Sequence, residues 1–178
     1  NSLNWTGYSD WPTGVDHYNI YRSSSGSTST IPFATLSSFS FAFLDSIIDN
    51  FYSDGEFCYV VEAIEAPGNP NLFTDSSRSN EICLIQSPLI FIPNAFHPGG
   101  SLNEIFLPSN AFVSAKDYSL DIYNRWGENI FHTSDPVIGW NGTYKGTSAQ
   151  EGIYIYRLVT KNTDGSDLER VGSVTLIR

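Results

Sequence analysis

Glu56-Phe57-Cys58-Tyr59-Val60-Val61-Glu62-Ala63-Ile64-Glu65 is the stretch that decides the fold of this chain. It is rich in aromatic and β-branched residues, and the turn signal Asp54-Gly55 stands immediately before it. Read with a period of two, it turns Tyr59, Val61 and Ala63 inward and sets Cys58, Val60 and Glu62 on the other face. Similar runs recur on both sides of it. In the first half they are Leu3–Trp5, Tyr18–Arg22, Ile31–Leu36, Phe39–Leu44 and Asn80–Gln86. In the second half they are Leu89–Ile92, Glu104–Leu107, Tyr118–Asn124, Glu128–His132, Gly152–Lys161 and Glu169–Ile177. Gly99-Gly100, Trp126-Gly127, Asn141-Gly142 and Asp164-Gly165 punctuate them, and the Ser-rich run Ser23–Thr30 reads as a loop. No long stretch carries an apolar stripe at helical spacing with caps. Short strands separated by polar turns predict an all-β chain of two consecutive immunoglobulin-like or fibronectin-like β-sandwiches.

Composition bounds the function. The chain has 178 residues with 9 Lys+Arg against 19 Asp+Glu, a formal charge of −10, and no Met. Charged residues make up 16% and aromatics 15%, a balance that can build a core rather than a charge-driven disordered tail. The acidity argues against a nucleic acid or an anionic membrane surface as partner, since both need clustered Lys and Arg. No apolar run approaches the roughly 18 residues of a spanning helix, and no basic start leads into a signal-peptide core. The opening Asn1-Ser2-Leu3-Asn4-Trp5, without an initiator Met, reads as a piece of something longer.

The charge is unevenly placed. Residues 1–87 hold a net −8 and no Lys, whereas residues 88–178 hold a net −2. That shift around Gln86-Ser87-Pro88 predicts two domains, residues 1–86 and 87–178.

The first half resembles the fibronectin type III family from the end of its second strand onward. Leu3-Asn4-Trp5 stands where that family places a buried Trp, and Tyr18-Asn19-Ile20-Tyr21-Arg22 matches the next strand. Phe43-Leu44-Asp45, the alternation Tyr59, Val61, Ala63, and Ser79-Asn80 follow in order. The resemblance lacks the first strand and most of the second, which implies an exposed edge or an altered first strand. Cys83 falls on the strand that follows the one bearing Cys58, across a hairpin rich in Gly, Asn, Pro and Ser. Opposed residues on adjacent antiparallel strands lie about 4.5–5.5 Å apart, close enough for a disulfide in the right register. Two reduced buried thiols are the alternative. A bridge implies an oxidising compartment, periplasmic or extracellular.

The second half carries more specific motifs. They are Phe91-Ile92-Pro93-Asn94-Ala95-Phe96 with Pro98, then Tyr123-Asn124-Arg125-Trp126-Gly127-Glu128, and then Gly139-Trp140-Asn141-Gly142-Thr143-Tyr144-Lys145-Gly146. Gly152-Ile153-Tyr154-Ile155-Tyr156 follows, and Gly172-Ser173-Val174-Thr175-Leu176-Ile177-Arg178 closes the chain. Together they resemble the gliding-motility-associated C-terminal domain of Bacteroidetes, the type B sorting domain of the type IX secretion system. The resemblance implies a non-enzymatic C-terminal signal and surface-attachment module of a larger secreted protein. Its implied partners are the outer-membrane translocon and a small outer-membrane barrel protein serving this signal class. Its implied destination is the cell surface or the medium, reached through the periplasm by a monomer that does not span the membrane. The candidate recognition residues are Asn124, Arg125, Trp126 and Gly127, with Gly172, Val174, Thr175, Leu176, Ile177 and Arg178 of the final strand. That strand is apolar on both faces and lies at a chain end, so edge pairing or pocketing of alternate side chains could read it; completing the sandwich is its plainer role.

Other chemistry is weakly represented. Family members usually carry an acidic loop after the opening motif that resembles a calcium site. Here Gly99-Gly100-Ser101-Leu102-Asn103-Glu104 is one residue short and lacks the central Asp, which disfavours calcium and implies no cofactor. His17, His97 and His132 are far apart, no cluster has zinc spacing, and no nucleophile motif appears. Asn4-Trp5-Thr6 and Asn141-Gly142-Thr143 fit the glycosylation sequon, weak evidence in a bacterial chain. The alternative function is a carbohydrate- or surface-binding adhesive module built on Trp5, Trp11, Trp126, Trp140 and the tyrosines. Trp5 and Trp140 read better as core and turn-packing residues, whereas Trp126 stands at a turn tip.

Overall fold

Strand β5 (Glu56–Glu65) is the spine of the first unit in the computed structural model, which describes residues 1–24, 29–70 and 73–178. It pairs antiparallel with β2 (Val15–Ser24), and β3 (Ala34–Ser37) continues the sheet beyond β2. On its other edge β5 pairs with β6 (Ser76–Arg78) and then with β7 (Ile82–Ile85). A second, two-stranded sheet pairs β1 (Ser2–Asn4) with β4 (Ala42–Leu44). Compact unit 1 comprises Asn1–Phe51 and Glu56–Ile85.

The alternation holds where it matters. Phe57, Tyr59 and Ala63 are buried with Tyr18, Ile20 and Leu3. Cys58 stands opposite Cys83 in the β5–β7 register, and the two form a disulfide with Cα atoms 4.0 Å apart. Glu62, on the same face as Cys58, is nonetheless buried: Tyr21 Oη donates to it at 2.6 Å and Arg78 Nε at 2.9 Å. These donors outweigh burial and hold its carboxyl below the usual range.

Three local expectations change. Trp5 lies one residue past β1 and is half-buried, its indole packing edge-on against Tyr18 at 5.6 Å. Ser23 and Ser24 complete β2 instead of opening a loop; residues 25–28 of that Ser-rich run lie outside the described residues. Glu104–Leu107 is not a strand. Only Phe106 forms a bridge, with Trp140, and Pro108 follows without an N–H to continue it.

Compact unit 2 comprises Tyr52–Gly55 and Gln86–Arg178. It introduces β8 (Leu89–Phe91), β9 (Ala95–Phe96), β10 (Ser109–Ala111), β11 (Ser119–Tyr123) and β12 (Asn129–Thr133). The small hairpin of β13 (Thr143–Tyr144) and β14 (Thr147–Ser148) follows, then β15 (Gly152–Lys161) and β16 (Asp167–Leu176). The main sheet runs β12-β11-β15-β16-β9; it is antiparallel except for the final β16–β9 pair. Leu120, Ile122, Leu158, Val174 and Leu176 of this sheet, with Phe96 of β9, form one core cluster with Trp140 and Phe106. Trp140 is the hub: it is fully buried, its Nε1–H donates to the Thr143 carbonyl at 2.9 Å, and Phe96 and Tyr154 pack against its ring. The architecture of the chain is therefore all-β, of the sandwich class.

Candidate functional site

The Asn124–Gly127 turn joins β11 to β12, and one side chain organises it. Asn124 Oδ1 accepts from the backbone N–H groups of Trp126 and Glu128, each at 3.0 Å, and Asn124 Nδ2 donates to Glu128 Oε2 at 3.0 Å. Gly127 completes the reversal with φ near +78°, a left-handed conformation that favours glycine. The Asn124 carboxamide supplies both the acceptor and the donor the turn uses, and Gly127 takes the left-handed conformation without a Cβ clash. The tip therefore presents Arg125 and Trp126 outward. Trp126 is 77% exposed, and the Arg125 guanidinium lies 4.9 Å from its ring centroid.

Beside the tip lies a groove of about 570 Å³ lined by Arg125, Trp126, Tyr144, Thr147, Gln150 and Tyr154, among others. Arg125 Nη2 donates to Gln150 Oε1 at 3.3 Å, and Tyr154 Oη donates to the Gln150 carbonyl at 2.6 Å. Burial raises the Tyr154 hydroxyl pKa, while the positive charges of Arg125 and Arg178 pull it back. The base of the turn is fastened by Glu128, which accepts from Tyr144 Oη and pairs with Lys145 Nζ at 3.4 Å. The Tyr144 hydrogen bond, with Lys145, holds its carboxyl below the usual range. Tyr144 stands in a sequence motif, but nothing in the sequence singles out Thr147 or Gln150.

The final strand divides into two sets of residues. Val174 and Leu176 are 0% and 1% exposed and belong to the core. Gly172 also points inward, and its missing side chain makes room for the Tyr156 ring. Thr175 and Ile177 take the other face, with Ile177 49% exposed. The backbone at this end is not free for edge pairing. Thr175 and Leu176 pair with Ala95 and Phe96 on one side and with β15 on the other. Thr175 N donates to the Asn94 carbonyl at 2.9 Å, and Ile177 N donates to the Phe96 carbonyl at 3.0 Å. Arg178 reaches back to donate to the Gly142 carbonyl at 3.2 Å. The sorting residues expected from sequence thus separate into an exposed set (Arg125, Trp126, Gly127, Ile177, Arg178), a buried pair that belongs to the core (Val174, Leu176) and the half-buried Asn124, Gly172 and Thr175.

The sugar-platform alternative loses two of its four indoles, since Trp140 is in the core and Trp5 packs on Tyr18. Among the described residues the one three-membered group with metal-ligand reach is Glu56, Cys58 and Cys83, whose sulfurs are already joined. In the Gly99–Glu104 loop, the His97 carbonyl accepts the Gly100 N–H at 3.0 Å and His97 N donates to the Asn103 carbonyl at 2.8 Å.

The fold defines a β-sandwich module with an exposed Arg125–Trp126 turn tip and a groove beside it. Residues 90–176 match the model of the CHU_C family, a type IX secretion signal domain. None of the curated proteins matches the chain. Among solved structures, dimeric latent PorU from Porphyromonas gingivalis aligns with 96% of the chain at 15% identity and a TM-score of 0.32. The chain spans 17% of that PorU chain.

Proposed function

We propose that residues 86–178 are the signal by which the type IX machinery recognises an attached polypeptide, carries it across the outer membrane and leaves it at the cell surface or in the medium. The family match over residues 90–176 carries this reading. The partners it calls for are the outer-membrane translocon and a small barrel protein of the same system. The module performs no catalysis of its own. In this reading unit 1 is a fibronectin type III-like spacer, supported by the order of Tyr18–Arg22, Asp45 and Tyr59–Ala63 along the chain, and its disulfide suits an oxidising compartment.

Recognition falls to the exposed set. Trp and Arg are the side chains that most often dominate protein–protein contacts, and both stand at the tip of the Asn124–Gly127 turn. Val174 and Leu176 act by keeping the sheet intact. A reporter fused to residues 86–178, in a host possessing the secretion system, should reach the surface or the medium; its retention in the periplasm would defeat the reading. Arg125→Ala with Trp126→Ala should lower export without lowering the melting temperature, whereas Leu176→Ala should lower both. Unchanged export of the double variant would remove the tip from recognition.

A further inference from the structure

The groove beside the Asn124–Gly127 turn carries positive charge that the chain itself does not answer. Among the described residues, five of the nine Lys and Arg pair with carboxylates: Arg22, Arg78, Lys145, Arg157 and Lys161. Arg125 and Arg178 are not among them, although the chain holds 19 acids. Each donates to a neutral oxygen instead, Arg125 to the Gln150 carboxamide at 3.3 Å and Arg178 to the Gly142 carbonyl at 3.2 Å. Both charges reach Tyr154 on the groove lining: burial raises its hydroxyl pKa, and the two arginines oppose the rise. Glu151 is the one acid on that lining, and it is exposed to water.

The same groove borders an open strand edge. Among the described residues β14 pairs with β13 alone. Ala149 N donates to the Gly142 carbonyl, so the next pair, Thr143 with Ser148, falls between hydrogen-bonded positions. By antiparallel alternation Ser148 therefore turns its own N–H and carbonyl away from β13. Ser148 lines the groove, opposite the Arg125–Trp126 tip. An unpaired guanidinium beside an exposed indole, with a free ladder position across from them, fits an extended peptide that carries carboxylates.

We propose that this groove docks an extended acidic segment of the protein partner, its backbone pairing with Ser148 and one of its carboxylates on Arg125. The guanidinium has five N–H donors in a planar fork, so the bond to Gln150 leaves enough of them for a carboxylate. The Trp126 ring, 4.9 Å from that guanidinium, holds it in place and offers apolar area to the arriving chain. Charge and edge together choose the occupant. An acidic sugar or a phosphate would answer the arginine but leave the Ser148 ladder groups without a backbone to pair with. A neutral strand would answer Ser148 and leave Arg125 without an anion. The proposal rests on the export role only in naming the partner. Its test reads binding alone, so retention of the reporter in the periplasm would remove that role and leave the site.

Residues 1–178, labelled with nitrogen-15, are titrated with a capped peptide of alternating Glu and Thr, and with the same peptide carrying Gln in place of Glu. The Glu peptide should shift the Trp126 indole N–H resonance and slow hydrogen exchange at the Ser148 amide. It should bind about fivefold more tightly than the Gln peptide at low salt, and the gap should close as salt rises. Arg125→Gln, at an exposed position, should erase the gap without moving the unit 2 melting temperature. Failure of the Glu peptide to bind, or equal binding of the two peptides, would overturn the proposal. Binding of oligogalacturonate that shifts Trp126 and leaves Ser148 unprotected, where the Glu peptide does neither, would give the groove to an acidic sugar. Self-association of residues 1–178 that Arg125→Gln abolishes would give it to a second copy, and either result overturns the proposal as well.

Discussion

Two sandwiches in one chain are held together in different ways. In unit 2 the described core is one apolar cluster centred on Trp140, and its buried polar side chains are two threonines, Thr133 and Thr160. Unit 1 buries fewer hydrophobic residues but takes in Asn19, Asp45, Glu62 and Glu65. Arg22 Nη1 donates to both Asp45 oxygens at 2.9 and 3.0 Å, and Tyr59 Oη donates to the same carboxylate at 2.6 Å. Glu65 accepts from Thr13 Oγ1 at 2.7 Å and Asn69 Nδ2 at 2.8 Å. The Cys58–Cys83 bridge then ties β5 to β7. Unit 1 supplements a small apolar core with a buried ion pair and a disulfide, whereas the ion pairs Lys145–Glu128, Arg157–Glu169 and Lys161–Asp167 of unit 2 lie at its surface.

The contrast can be broken from either side. Trp140→Ala should unfold or severely weaken unit 2, by about 4 kcal/mol, since it empties the hub of a close-packed core; denaturant unfolding followed by tryptophan fluorescence checks this, with unit 1 unmoved. Asp45→Ala should cost unit 1 about 3 kcal/mol, because it leaves the Arg22 guanidinium and the Tyr59 hydroxyl without their shared acceptor. Calorimetry should show only the unit 1 transition falling. Reduction of the disulfide, or Cys58→Ala with Cys83→Ala, should cost unit 1 about 2–3 kcal/mol and unit 2 nothing; equal loss in both units would show that the bridge serves the whole chain.

Alkali sharpens the comparison further. Burial, with help from Asp45, pushes the Tyr59 hydroxyl up to about 12 from an ordinary 10.0. The folded state thus favours the proton, and the associated stability is complete below pH 10 and lost as pH rises from 10 toward 12. Stability curves over that window should fall less steeply for unit 1 of Tyr59→Phe than for the wild type. The smallest effect is expected at the tip. Trp126→Ala should change stability by less than about 0.5 kcal/mol, because the ring is mostly in water.

Much of this was legible in the residues. The limits of β5 and β15 coincide with the runs Glu56–Glu65 and Gly152–Lys161 because long alternations end at turn signals. The Cys58–Cys83 pair could be offered because Cys83 is the one candidate partner on the strand expected beside that of Cys58, and the β5–β7 register then sets the two opposite each other. β6, β13 and β14 escaped because, unlike the equally short β1, β4 and β8, they lie in no apolar run. Glu104–Leu107 misled for the opposite reason, since a strand-like composition found only one partner residue, Trp140, to pair with. Nothing local marks Gln150 as a neighbour of Arg125, or Arg22 as the partner of Asp45.

The sequence by itself determined the all-β class, the position of the turns and the signal-domain motifs, because each depends on residue type and spacing within a few positions; for the cysteines it offered the pair and left reduced thiols open until the structure joined them. Tertiary structure alone decided what those motif residues do. Val174 and Leu176 become core, with the backbone at the end of β16 enclosed between β15 and β9, while Arg125 and Trp126 are left to solvent. Burial is set by which distant segments come to cover a strand, and the β9–β16 pairing that covers this one joins stretches with no local signal for each other.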